Sequence, residues 1–114
     1  MKYYIISGEA SGDLHGATLV KHLKSYDKNT DVRAWGGELL KDQGAKIVKH
    51  YKDLAFMGFF EVFKNIFTII KNLNFCKKDI EKYNPDVLIL IDYPGFNLRI
   101  AKWAKTKGFN VHYY

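Results

Sequence analysis

The stretch DVLILIDYPGFN, residues 86 to 97, constrains the fold of this chain more than any other. Five apolar residues, Val87 to Ile91, run unbroken between two aspartates. A half-exposed strand would alternate polar and apolar residues; a strand covered on both faces need not. Such strands belong to parallel sheets, whose crossover connections lay helices over both sides. The run ends at Asp92 and turns at once through Tyr93-Pro94-Gly95. Open parallel sheets bind ligands beyond the carboxyl ends of their strands, and Asp92 stands at that position.

The rest of the chain supplies the matching parts. YYIIS is expected to form a first strand ending at Gly8, and SGDLHGATLVKHLKSY a helix with Ser11 as its N-cap. DVRAW and AKIV are expected strands flanking a short helix, ELLKDQ, opened by Gly36-Gly37 and closed by Gly44. Two helical segments follow, from about 58 to 73 and from about 75 to 83, the second stopping before Asn84-Pro85. A helix from Asn97, capped by Gly108, leads to FNVHYY as a fifth strand. Alternating strands and helices predict an α/β domain, a Rossmann-like parallel sheet flanked by helices. The 114 residues suffice for one such domain and not for two. Because the fifth strand runs to Tyr114 with no turn after it, the chain is expected to be the amino-terminal part of a longer protein.

Composition narrows the classes. Apolar residues make up 47% of the chain, a globular value. Cys76 is the single cysteine, so no internal disulfide forms, and a reducing compartment is expected. The opening residues do not resemble a signal peptide, and no apolar run is long enough to span a bilayer. The protein is therefore expected to be soluble or peripheral. A net charge of +6 favours anionic partners, but the lysines are scattered rather than clustered, so no nucleic-acid footprint stands out.

Three places carry chemical interest. The loop GEASGDLHG lies between a strand and a helix, where glycine-rich loops cradle phosphates, yet it matches neither glycine fingerprint. Its carboxylates, Glu9 and Asp13, would repel a phosphate; they suit sugar hydroxyls or the loop's own amides. The loop is equally a tight turn. Asp92 is a candidate general base, set against a simple Asx-type cap of the turn after it. Asn97 and Arg99 on the next helix are placed to orient a polar ligand, though Arg99 reads equally as a surface charge. In MGFFEVFKNIFTIIKNL the apolar residues fill about half of a helical circumference. That width serves a core helix, or one with an edge exposed to lipid. The four histidines form no metal-binding pair, and with one cysteine no metal site is expected.

The motifs SGEASGDLHG, LAFMGFFEV and PDVLILIDYPGFNLRIAKWAK, in this order and spacing, resemble the amino-terminal domain of the lipid-A-disaccharide synthases. The resemblance covers essentially the whole chain. It implies the amino-terminal half of a two-domain GT-B glycosyltransferase, with the carboxyl-terminal donor domain absent here. The implied reaction moves diacylglucosamine from a UDP carrier to diacylglucosamine 1-phosphate, with inversion, at the inner face of the Gram-negative inner membrane. Neither metal nor other cofactor is implied. The resemblance makes Asp92 the base and Ser7, Gly8, Glu9, Ser11, Gly12, Asp13 and Asn97 the substrate-binding set. It assigns membrane or acyl-chain contact to Met57, Phe60, Val62, Phe63, Ile66 and Ile69. Family members often carry a second aspartate where this chain has Gly95. A lone domain of this kind is expected to be inactive. Two other readings stand beside it: a self-sufficient α/β nucleotide-binding or response-type module, and a membrane-surface interaction protein.

Overall fold

The computed structural model describes residues 1–57 and 66–114, apart from the side chains of residues 55–57. Five strands form one parallel sheet: β1 (Lys2–Ser7), β2 (Asp31–Gly36), β3 (Lys46–His50), β4 (Val87–Ile91) and β5 (Val111–Tyr113). Their order across the sheet is β3-β2-β1-β4-β5. The helices between them are α1 (Ala10–Tyr26), α2 (Glu38–Asp42), α3 (Ile66–Tyr83) and α4 (Pro94–Thr106), and a 3-10 helix spans Tyr51–Met57.

Strand geometry sends successive side chains to opposite faces, and the two central strands bury both. Tyr3, Ile5, Ile89 and Ile91 join Val20 of α1 and Leu40 of α2 in one core. Tyr4, Ile6, Leu88 and Leu90 join Ile69, Leu73, Cys76 and Ile80 of α3, with Phe96 and Ile100 of α4, in the other. The unbroken run at Val87–Ile91 is thereby explained: each of its faces meets a helical layer.

The second core has a polar tie at its edge. The Arg33 guanidinium on β2 donates two hydrogen bonds of 2.7 Å to the Asp79 carboxylate on α3. The Tyr4 hydroxyl donates a third to Asp79, also 2.7 Å, and accepts one from the Trp35 indole at 2.9 Å. Burial alone would push the Asp79 carboxyl up, but the hydrogen bonds from Arg33 and Tyr4 outweigh it and hold it below the usual carboxylate range.

Several local expectations need correction. α1 starts at Ala10 with Glu9 at the N-cap, so Ser11 lies inside the helix. Helix continues without a break through Phe75, because Ile69, Leu73, Cys76 and Ile80 form one stripe at helical spacing. α4 begins at Pro94, whose fixed φ suits the first helical position, rather than at Asn97.

Candidate functional site

In this strand order β1 leads toward one edge of the sheet and β4 toward the other, so the topological switch point lies between them. Ligands of open α/β sheets bind in the crevice there. Two connections flank it: Gly8-Glu9 after β1 and Asp92-Tyr93 after β4.

The second connection is held in an unusual backbone state. Asp92 and Tyr93 both take the left-handed conformation, with φ of 47° and 52°. Aspartate tolerates that region better than most residues, and tyrosine does not. The surroundings enforce the turn. The Asp92 amide donates to the Tyr114 carbonyl at 2.8 Å, and the Asn97 amide to the Tyr93 carbonyl at 2.8 Å. The Tyr93 ring stacks on Phe96 at 5.2 Å between centroids. It also covers Gly8: a Cβ there would lie 2.5 Å from the ring, so only glycine lets the two loops close. Burial pushes the Tyr93 hydroxyl up to about 12.

The Asn97 side chain completes the clamp. It is fully buried, and its Nδ2 donates to the carbonyls of Asp92 (2.9 Å), Ile6 (3.2 Å) and Ile91 (3.4 Å). The opposite amide orientation would aim Oδ1 at three carbonyls, so the assignment is forced. Oδ1 itself has no hydrogen-bond partner among the described residues.

Asp92 is exposed, although the strand it follows is covered on both faces. Among the described residues its carboxylate accepts no hydrogen bond, so the Asx-type cap does not form. It lines a cavity of about 370 Å³ between α1 and the ends of β4 and β5, shared with His15, Leu19, Ile91 and Tyr114. The walls are mostly apolar with a few polar groups, as in small-molecule sites.

The other expected site residues divide. Gly8 borders the turn, while Glu9 on the β1–α1 connection and Ser11 in the first turn of α1 are exposed and do not line the cavity. Ser7, Gly12 and Asp13 are turned inward, and the substrate contacts expected of them are not offered. Ser7 is buried and donates to the Trp35 carbonyl at 3.0 Å. Gly12 is pressed on Ser7, where a Cβ would come within 2.7 Å of that side chain. Asp13, 2% exposed, accepts from the amides of Gly37 (2.7 Å), Leu39 (3.1 Å) and Leu40 (3.1 Å). It caps α2 from a neighbouring helix, where the dipole favours a carboxylate. Asn97 likewise binds backbone, not solvent-side ligand. Gly95 has nothing within 4 Å of its Cβ position, so that position has room for a larger side chain.

On α3 the apolar face also divides. Ile66, Phe67 and Ile70 are 41%, 83% and 45% exposed and adjoin one another at helical spacing. Ile69 is 8% exposed and packs in the core, so the lipid contact expected of it is corrected: its stripe faces the sheet. The expectations for Phe60, Val62, Phe63 and the Met57 side chain lie outside the described residues. No described helix is long and apolar enough to cross a membrane. Among the described residues no cluster of metal-ligating side chains occurs.

His15, like Leu19, Ile91 and Tyr114, is a cavity residue that sequence reasoning missed. Its signal was present in its spacing of four from Leu19, which puts both on one face of α1.

A doubly covered parallel sheet with a carboxylate poised over its switch point defines a Rossmann-like ligand-binding domain. The chain matches the family model described as Lipid-A-disaccharide synthetase over residues 3–114. It therefore belongs to that family. It is 38% identical over 110 residues to the lipid-A-disaccharide synthase of Coxiella burnetii (strain Dugway 5J108-111), and 41% over 110 residues to that of Trichlorobacter lovleyi. It is 39% identical over 111 residues to lipid-A-disaccharide synthase 1 of Legionella pneumophila (strain Paris). Each alignment covers 96% of this chain, which spans 29% of the relatives' length.

Proposed function

We propose that this chain is the acceptor-side, amino-terminal domain of a two-domain inverting glycosyltransferase of lipid A biosynthesis. The donor is a UDP-linked diacylglucosamine, and the acceptor is diacylglucosamine 1-phosphate. The enzyme works at the cytoplasmic face of the inner membrane, where both lipids are embedded. Family membership and the names of the relatives support the reaction. The exposed apolar residues Ile66, Phe67 and Ile70 support the membrane surface. Gly8 and Glu9 on the β1–α1 connection and Ser11 in the first turn of α1 remain the candidates for holding the acceptor.

The observation that carries the mechanism is the Asp92 carboxylate, fixed by its backbone at the switch point yet unengaged by any described side chain or amide. A sugar hydroxyl attacks well only as its proton leaves. A carboxylate within reach accepts that proton while the hydroxyl oxygen bonds to the anomeric carbon and UDP departs. Asp92 serves as that base. The test is Asp92→Asn in the full-length enzyme. Asparagine also tolerates the left-handed backbone, so the turn persists and only proton acceptance is lost. Turnover is expected to fall by roughly 10²–10⁴-fold with an unchanged unfolding curve. A folded variant with near-normal turnover eliminates Asp92 as the base.

A further inference from the structure

We propose that His15 reads the phosphate of the acceptor in the cavity it shares with Asp92, which makes it a specificity-determining residue. This rests on the assignment of that cavity to a phosphorylated sugar acceptor. The cavity is lined by Asp92 at the end of β4 and His15 on α1, together with Leu19, Ile91 and Tyr114. An acceptor that delivers a hydroxyl to Asp92 brings its phosphate charge toward the carboxylate, and like charges repel more strongly near a protein surface than in water. On a glucosamine 1-phosphate the phosphate sits on C1 and the primary hydroxymethyl on C5, the two carbons that flank the ring oxygen. With the hydroxyl at Asp92, the phosphate therefore needs a counter-charge within the same cavity. His15 is the one described lining residue able to carry positive charge, and its ring nitrogens donate to phosphate oxygens. Leu19 and Ile91 then meet the ring's apolar face. The His15 side chain is exposed and, unlike those of Asp13, Ser7 or Asn97, makes no hydrogen bond among the described residues. Its presence in the cavity is therefore not explained by stability.

The experiment compares two acceptors in the full-length enzyme: diacylglucosamine 1-phosphate and the same sugar without phosphate. His15→Ala is expected to raise KM for the phosphorylated acceptor roughly ten- to hundredfold, the span of one charge-assisted hydrogen bond, with kcat little changed. The acceptor lacking phosphate should not distinguish the variant from the parent, and His15→Lys should restore most of the loss. An unchanged KM, or an equal rise for both acceptors, overturns the proposal. Binding of glucosamine 1-phosphate, followed through the His15 imidazole resonances in the parent enzyme, gives a readout independent of transfer. A shift with glucosamine 1-phosphate but not glucosamine supports the proposal, and equal responses overturn it. Failure of the base assignment appears separately, as normal turnover in Asp92→Asn.

Discussion

Asn97 carries more of the site's geometry than its distance from solvent would suggest. Its single Nδ2 group ties the ends of β1 and β4 to the Asp92 carbonyl, across the switch point. Replacing it with alanine removes these bonds and leaves buried carbonyls wanting, at a cost of about 1–3 kcal/mol. Replacing it with aspartate keeps the shape but turns a carboxylate against three carbonyl oxygens. Asn97→Asp is therefore expected to destabilise more than Asn97→Ala, a ranking that urea unfolding would reverse if the amide were merely filling space. The order follows from electrostatics alone, since both variants lose the same donor.

At the scale of elements, α3 joins two tasks. Its stripe of Ile69, Leu73, Cys76 and Ile80 holds it to the sheet, while Ile66, Phe67 and Ile70 face outward. Exchanging those three for serine in the full-length enzyme is expected to weaken association with anionic vesicles and leave the unfolding midpoint nearly unchanged. A large drop in stability with unaltered vesicle binding would assign the outward face to packing instead. The Asp79–Arg33 pair docks the same helix through groups only 11% and 22% exposed. Because the folded Asp79 carboxyl lies below its unfolded value, its contribution is present above the unfolded pKa, about 4, and is lost as pH falls through the folded value. Asp79→Asn should cost about 2–3 kcal/mol at neutral pH, less than for a fully buried pair. It should also flatten the acid limb of the stability profile, and unfolding curves collected from pH 7 to pH 2 would read both effects.

At the scale of the whole molecule, the domain offers a carboxylate-bearing cleft and no phosphate fingerprint. Glu9 stands exposed after β1, Asp92 after β4, and the glycines of the first loop serve close packing rather than a nucleotide cradle. Residues 1–114 are thus expected to bind UDP weakly or not at all and to transfer no sugar. Calorimetric binding of UDP in the micromolar range would contradict the acceptor-side assignment and favour the nucleotide-binding reading.

The layered α/β architecture was legible in the amino-acid order, because a strand buried on both faces and helices with one apolar stripe obey local periodicities. Val87–Ile91 announces its two covered faces, and Asp92 its place at the strand's end. The roles of the polar residues were not legible. Glu9 and Asp13 look alike in one loop, yet one meets solvent and the other caps α2 across 24 residues of sequence. Asn97 reads as a ligand-orienting residue and proves to be a backbone clamp. Ile69 and Phe67 lie two positions apart with opposite fates, decided by the face α3 turns to the sheet. Periodicity tells which residues share a side. Which side is buried, and which polar group finds a partner there, depends on contacts between elements distant in the chain, and those exist only once the layers are assembled.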